Sequence, residues 1–378
     1  MMQHVRSVWP LLGPALLVVI ASAFSLTLSS GLQFQMRFAL VLLTIVVALY
    51  VFIGNSGVLS FGHVSFVAVG AFISGLLTIA PPQKTAIMPD IFPVFADAHL
   101  SPLQGLAVAT AAGAVLAFVV AIPLMRLSGL AAGIATFGVL MITLNVLRNW
   151  EQVGPGVRTM TGIPQHTDLV MATGGALLAM AVAFAYQRSR FGRRLRAARE
   201  DGHAAAATGI NVYRARIGAF TLSGAIAGFA GGQLAHLLGS ISTDQVALDL
   251  TFVTLAMLVV GGTGSLWAAV AGTGVISFLN QFLGEAETGL ALGALEVTLP
   301  SGTRPLIVAG VMAAVLILRP SGLTGGRELP WPRLPDGRLA RGLVPERWRR
   351  TEAAPTTEQA SGQQAASAAE APEREEAR

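Results

Sequence analysis

Between Ser101 and Leu147 the chain carries a single ionisable side chain, Arg126. Between Ile217 and Gln281 it carries only His236, Asp244 and Asp249. Runs this long with so few charges cannot coat a water-facing surface, because a soluble domain has about a quarter of its residues charged. Over all 378 residues, 12% are charged and 53% are hydrophobic. The apolar surface must face hydrocarbon, where backbone amides have to be satisfied within helices or closed barrels. The apolar runs have the length of a spanning helix, about 20 residues. The expected fold class is therefore all-α, a polytopic membrane protein of about ten transmembrane helices with a disordered cytoplasmic C-terminal tail.

The expected spans are 11–29, 34–53, 57–80, 103–125, 129–147, 168–187, 213–238, 247–262, 264–284 and 304–319. The third is open to a break by its glycines, and the eighth is short. The first follows Arg6 as a signal peptide would, but the further spans favour an uncleaved helix. Charge orients the bundle, since Lys and Arg concentrate on the inner side. With the N-terminus inside, Arg126, the cluster from Arg188 to Arg199, Arg214, Arg216 and the run from Arg319 all fall inside. The outer loops then carry Lys84, Asp90, Asp97, Glu151, Glu285, Glu287 and Glu296, together with Arg148 and Arg158; Arg37 is an exception to the bias. Both termini are expected in the cytoplasm.

Three domains are expected. Residues 1–319 form the membrane domain. Residues 320–350 form a Pro/Arg-rich juxtamembrane segment, with Trp331 and Trp348 at the interface. Residues 351–378 are polar, Ala/Gln/Glu-rich and unable to bury enough surface to offset their ordering entropy, so they are expected to be disordered. The net charge of +5 comes from arginines beside apolar spans. That places membrane lipid, and not nucleic acid, as the partner of the basic residues.

Several chemistries are excluded. There is no cysteine. A phosphate-binding P-loop needs a lysine, and the only lysine, Lys84, lies in an expected outer loop. No protease, hydrolase or metal motif occurs, and none of the six histidines has a partner at ligand spacing. No catalytic residue, metal site or cofactor is expected, and the chain does not read as an enzyme. Arg37, His63, His236 and Asp249 are few for a proton relay; hydrogen bonding at span ends accounts for them equally.

Three segments stand out. GNSGVLSFG (54–62) and GGTGSLWAA (261–269) share a Gly-x-x-Gly-x-Leu pattern, each linking two spans on the inner side, and repeated halves are common in transporters. Irregular backbone at membrane depth survives only inside protein or along a cavity, and its freed amides can hold a carboxylate. The candidate pathway residues are Gly54, Asn55, Gly57, Ser60, Gly62, His63, Gly261, Gly262 and Gly264. Close helix packing with an ordinary loop explains the same residues. The third segment, 188–216, is an Arg-rich helix interrupted at Gly202 and ended at Gly209, a shape that can dock in a groove of another protein. An amphipathic helix lying on anionic lipid is the alternative; it leaves Glu200 and Asp201 unexplained.

The chain resembles permease subunits of ABC importers in the branched-chain amino acid family. The resemblance runs from about Leu40 to Gly322. It is carried by GNSGVLSFGHVSFVAVGAF (54–72), SGLAAGIATFGVLMITLNVLRNW (128–150), TGIP (161–164), the stretch 189–242 beginning SRFGRRLRAAREDGHAAAATGI, and VVGGTGSLWAAVAG (259–272). It implies a bacterial inner-membrane pore built with a second permease subunit, whether hetero- or homodimeric. It also implies cytoplasmic ATPase subunits and a periplasmic substrate-binding protein. Arg196, Arg199, Glu200, Asp201 and Gly209 fall on the coupling segment that the ATPase grips in that family. The implied function is import of branched-chain or other apolar amino acids using ATP hydrolysed elsewhere. Urea or short amides are alternative substrates, and a self-sufficient secondary carrier is a further alternative. Val64 and the stretch 81–102 depart from the family pattern.

Overall fold

The computed structural model describes residues 2–325 except Pro155, Gly289, Gly293, Ala294, Thr298, Leu299, Ser301 and Pro320, with residues 2–7 and the stretch around 288–297 described by backbone alone. The expectations for the juxtamembrane segment beyond 325 and for the 351–378 tail lie outside the described residues.

The chain is an all-α multi-pass membrane protein. Helices α1 (Met2–Ser25) and α2 (Ser30–Leu49) are followed by α3 (His63–Thr78), the short helices α4 (Pro81–Ile87) and α5 (Pro93–Ala96), α6 (Pro102–Leu124) and α7 (Gly129–Asn149). Strand β1 (Met160–Thr161) precedes α8 (Leu169–Arg188), α9 (Arg190–Glu200), α10 (Gly202–Ala207) and α11 (Val212–Leu238). Strand β2 (Ser240–Ile241), α12 (Leu248–Gly261), α13 (Leu266–Thr288), the strands β3 (Leu290–Leu292) and β4 (Leu295–Val297), and α14 (Thr303–Leu318) complete the order. Seven of these helices are long and apolar enough to cross a membrane, and α3, α12 and α14 are shorter apolar helices. All ten expected spans coincide with a helix among the described residues.

The third span departs from its expected bounds. Helix α2 widens into a π-turn over Tyr50–Gly54 and ends at Gly57, whose amide donates to the Ile53 carbonyl at 2.9 Å. Gly57 has φ +70°, a left-handed conformation open to glycine at no steric cost. Residues 58–62 are irregular, so α3 starts at His63 and not at 57. Its 16 residues rise only about 24 Å, less than the hydrocarbon thickness. Within the irregular stretch Val58, Ser60 and Gly62 are buried, while Leu59 is exposed.

Helix α11 is the central post, packed against α2, α3 and α6. Its glycines make that possible. A Cβ at Gly231 would stand 2.0 Å from the Val67 carbonyl of α3, and one at Gly228 would stand 2.4 Å from the Ala109 carbonyl of α6. Small residues spaced one turn apart let membrane helices approach backbone to backbone. Across this contact Ser223 Oγ donates to the Ala48 carbonyl at 2.6 Å. Large apolar side chains point outward instead, among them Ile20, Phe24, Phe118, Val119, Ile142, Leu178 and Phe278. Lipid is as apolar as these groups, so their exposure carries no penalty.

Because successive spans alternate in direction, the loops sort to two ends. One end holds 55–62, 125–128, 189–211, 262–265 and the turn after α14. The other holds 79–101, 150–168, the antiparallel β1–β2 pair and the β3–β4 hairpin. At this second end His236 Nδ1 donates to the Pro164 carbonyl at 2.8 Å, which leaves Nε2 of a neutral ring to accept from Ser74 Oγ at 3.0 Å. Lys84 lies in a loop, as expected, and is fully buried there. Its ammonium donates to the carbonyls of Phe95 and Ala98 and so closes the loop on itself. Burial pushes its pKa below the ordinary lysine value, partly opposed by the Asp97 carboxylate.

Candidate functional site

The first end of the bundle gathers most of the residues singled out in the sequence. Ser189 starts α9 by accepting from the Gly192 amide at 3.2 Å. A serine at this position satisfies one of the helix's orphan donors. The helix turns Leu195 and Ala198 inward and leaves Arg190, Arg193, Arg194, Arg199 and Glu200 exposed. Asp201 breaks the helix and caps the next one, accepting from the amides of His203 and Ala204 at 2.8 and 3.0 Å. Those two amides hold its carboxyl below the usual carboxylate range. Helix α10 presents Ala204, Ala206 and Ala207 to the outside and ends at Gly209, with φ +81°. The expected helix–break–helix shape is present, though the break falls at Asp201, one residue before Gly202. Glu200, Asp201 and Gly209 lie on its outer surface.

Arg196 and Arg199 behave differently. Arg196 donates to the Gln187 carbonyl at 2.8 Å, back to the end of α8. Arg199 reaches across the fold, and its Nη1 donates to the Gly54 carbonyl at 2.5 Å. Its stem lies over Gly57, where a Cβ would be 3.0 Å from Arg199 Cγ. Gly54 is also pressed against the second glycine segment, since a Cβ there would stand 2.8 Å from the Thr263 carbonyl. The fold therefore brings the two Gly-x-x-Gly-x-Leu stretches together and joins them to α9. Gly261, Gly262 and Gly264 form the α12–α13 turn, and Ser265 Oγ caps α13 by accepting from the Ala268 amide at 3.1 Å.

The remaining candidates in 54–63 are held by short-range bonds. Asn55 Nδ2 donates to the Val51 carbonyl at 2.9 Å. His63 Nδ1 pairs with Ser60 Oγ at 2.7 Å. The imidazole is buried among Phe52, Phe66 and Phe220, with ring centroids 5.6, 5.8 and 5.1 Å away. Its Nε2 is buried without a hydrogen-bond partner. Gly62 abuts α7, where a Cβ would come 2.3 Å from the Thr136 carbonyl. Thr136 Oγ1 also accepts from the Phe61 amide at 3.1 Å. Thr136 belongs to this site and was missed in the sequence, because its partner lies 75 residues away and no local pattern marks the contact. Among the described residues, no group of three acidic, His or Cys side chains is placed to hold a metal ion.

The arrangement suits a mechanical task. Its polar groups are mostly engaged with backbone, and its glycines permit helix ends to touch. The chain also has relatives among known proteins. The chain is 26% identical over 341 residues to the high-affinity branched-chain amino acid transport system permease protein LivM of Salmonella typhimurium, covering 81% of this chain and 73% of the relative. LivM of Escherichia coli K12 is 25% identical over the same shares. The probable ABC transporter permease protein YphD of Escherichia coli K12 is 35% identical over 145 residues, 36% of this chain and 41% of the relative. No solved structure matches the chain. The profile of the family described as branched-chain amino acid transport system / permease component matches residues 31–318. That is most of the chain and the whole of the bundle from α2 to α14, and the chain belongs to this permease family.

Proposed function

We propose that this chain is the pore-forming subunit of an ATP-driven importer in the bacterial inner membrane. It moves branched-chain or other apolar amino acids into the cytoplasm. The end bearing α9 and α10 faces the cytoplasm, where it meets the ATPase subunits; a second permease subunit completes the pore, and a periplasmic binding protein delivers substrate to the other end. The observation that carries this reading is the α9–α10 segment. It is an exposed helical protrusion on a chain without a nucleotide-binding motif, and it is bonded through Arg199 to the Gly54 carbonyl at the end of α2. ATP used elsewhere then acts by favouring one of two states of the bundle. Glu200, Asp201 and Gly209 form the docking surface. Gly54, Asn55, Gly57, Ser60, Gly62, His63, Gly261, Gly262 and Gly264 form the inner section of the substrate pathway.

The test is uptake of labelled leucine by cells with and without the chain, with isoleucine, valine and urea as competitors. Loss of uptake on deletion, with competition by isoleucine and valine alone, supports the amino-acid reading. Competition by urea moves the substrate to the amides. Replacing Glu200 and Gly209 together should release the ATPase while the chain still inserts. Normal association and uptake in that variant would overturn the docking assignment.

A further inference from the structure

We infer that Arg199 is a positioning residue that sets the register of the α2 terminus for the docking segment, and not a surface contact for the ATPase. The inference rests on the reading that α9–α10 receives the ATPase.

The geometry begins with an orphan. The Gly54 carbonyl lies at the end of a helix, where the last carbonyls lack intrahelical partners. The amide four residues on, that of Val58, is taken by Ser56 Oγ at 3.2 Å. Arg199 Nη1 fills the vacancy, and a cation at a helix C-terminus is favoured by the helix dipole. Gly57 serves both parts of the contact: its φ of +70° ends the helix, and its missing side chain leaves room for the arginine stem.

The π-turn at Tyr50–Gly54 supplies a two-state element. Such turns hold one extra residue and occur often at functional sites. Closing it to an α-turn would shift the residues beyond it by about 1.5 Å and rotate them by about 100°. The Arg199 bond holds the open register. Because Gly54 abuts the Thr263 carbonyl, a register change must move the α12–α13 turn as well. That turn is gripped from behind: the Leu323 amide donates to the Val260 carbonyl at 2.9 Å, and Thr324 Oγ1 donates to the Gly261 carbonyl at 3.1 Å. A pull on α9 thus reaches both glycine turns through one guanidinium.

The test uses the whole transporter, reconstituted in liposomes with its ATPase and binding protein. Leucine uptake per ATP hydrolysed, ATPase co-purification, and hydrogen exchange of amides 50–58 are measured for Arg199→Ala, Arg199→Lys and Gly57→Ala. In Arg199→Ala the ATPase stays bound, uptake per ATP falls about tenfold, within the range of typical coupling free energies, and amides 50–58 exchange faster. Arg199→Lys, which keeps a charged donor, restores most of the uptake. Gly57→Ala shows the same loss and adds little to Arg199→Ala, as residues acting on one contact should. Uptake per ATP within twofold of the parent in Arg199→Ala overturns the proposal, and so does unchanged exchange at 50–58. Loss of the ATPase from that variant overturns it too, by making Arg199 a docking contact. If the Glu200/Gly209 variant also keeps its ATPase and uptake, it is the docking assignment that has failed. The exchange measurement needs no transport and stands in either case.

Discussion

Replacing Gly231 with alanine adds one methyl group to α11 and should weaken the whole bundle. The new Cβ would stand 2.0 Å from the Val67 carbonyl, 2.8 Å from the Val67 carbonyl carbon and 2.9 Å from the Ala71 amide nitrogen. Real Cβ atoms essentially never approach closer than 3.0 Å, so α3 and α11 must part by about 1 Å. All three neighbours are backbone, and no side chain can swing aside. Overpacking costs about 1–3 kcal/mol, and a rigid backbone neighbour places this site at the top of that range. Alanine's better helix propensity returns at most about 1 kcal/mol. The net loss is about 2 kcal/mol, near 30-fold in the folded-to-unfolded ratio. The matched control is Gly174→Ala on α8, where nothing lies within 4 Å of the new Cβ; it should be neutral or slightly stabilising. Reversible unfolding of the purified chain in mixed micelles, titrated with SDS, measures both. Equal midpoints for Gly231→Ala and Gly174→Ala would refute the packing argument.

Other consequences can be checked on the same preparation. Ser74→Ala leaves His236 Nε2 without its partner and should cost about 1 kcal/mol, the size typical for such bonds in membranes, read as a lower unfolding midpoint. Lys84→Met removes the donor to two carbonyls and should speed hydrogen exchange across 80–98 while α11 stays protected. Since burial lowers the Lys84 pKa, the folded chain releases this proton at lower pH than the unfolded chain. Stability should therefore rise with pH between the lowered folded value and the ordinary lysine value, and Lys84→Met should abolish that slope. Asp201→Ala removes the cap of α10 and should loosen 202–207 in exchange experiments. The carboxyl is held below its ordinary value, so its contribution is present at neutral pH and should fade as pH falls through the folded value. Breaking the exposed Arg148–Asp244 pair should shift the unfolding midpoint very little, as for most surface ion pairs.

The sequence by itself determined the solvent, the fold class and the positions of the spans. These follow from counting charges against apolar length, and the bilayer tolerates few alternatives. It also marked 188–216 as holding a short helix interrupted at Gly202 and ended at Gly209, because those glycines punctuate a stretch of good helix formers; the structure divides it in two at Asp201. It placed the third span wrongly by six residues, since nothing local says that α2 runs on through a π-turn and that Gly57 adopts a left-handed conformation. Lys84 looked like an ordinary loop residue because its acceptors, Phe95 and Ala98, are fixed only once the loop 79–101 closes around it.

Which glycines touch, and which arginine bonds back to the bundle, was settled by packing between distant segments. Eight arginines crowd 188–216, alike in charge and helical setting, yet Arg199 alone bonds across 145 residues to Gly54. That choice depends on where α9 leaves α8 and on a carbonyl left without an intrahelical partner where α2 ends. Both are set by the packing of α2 against α8 and α11, and neither is written in the residues next to Arg199. Local chemistry fixes what each segment can do; the bundle selects which of those options meet.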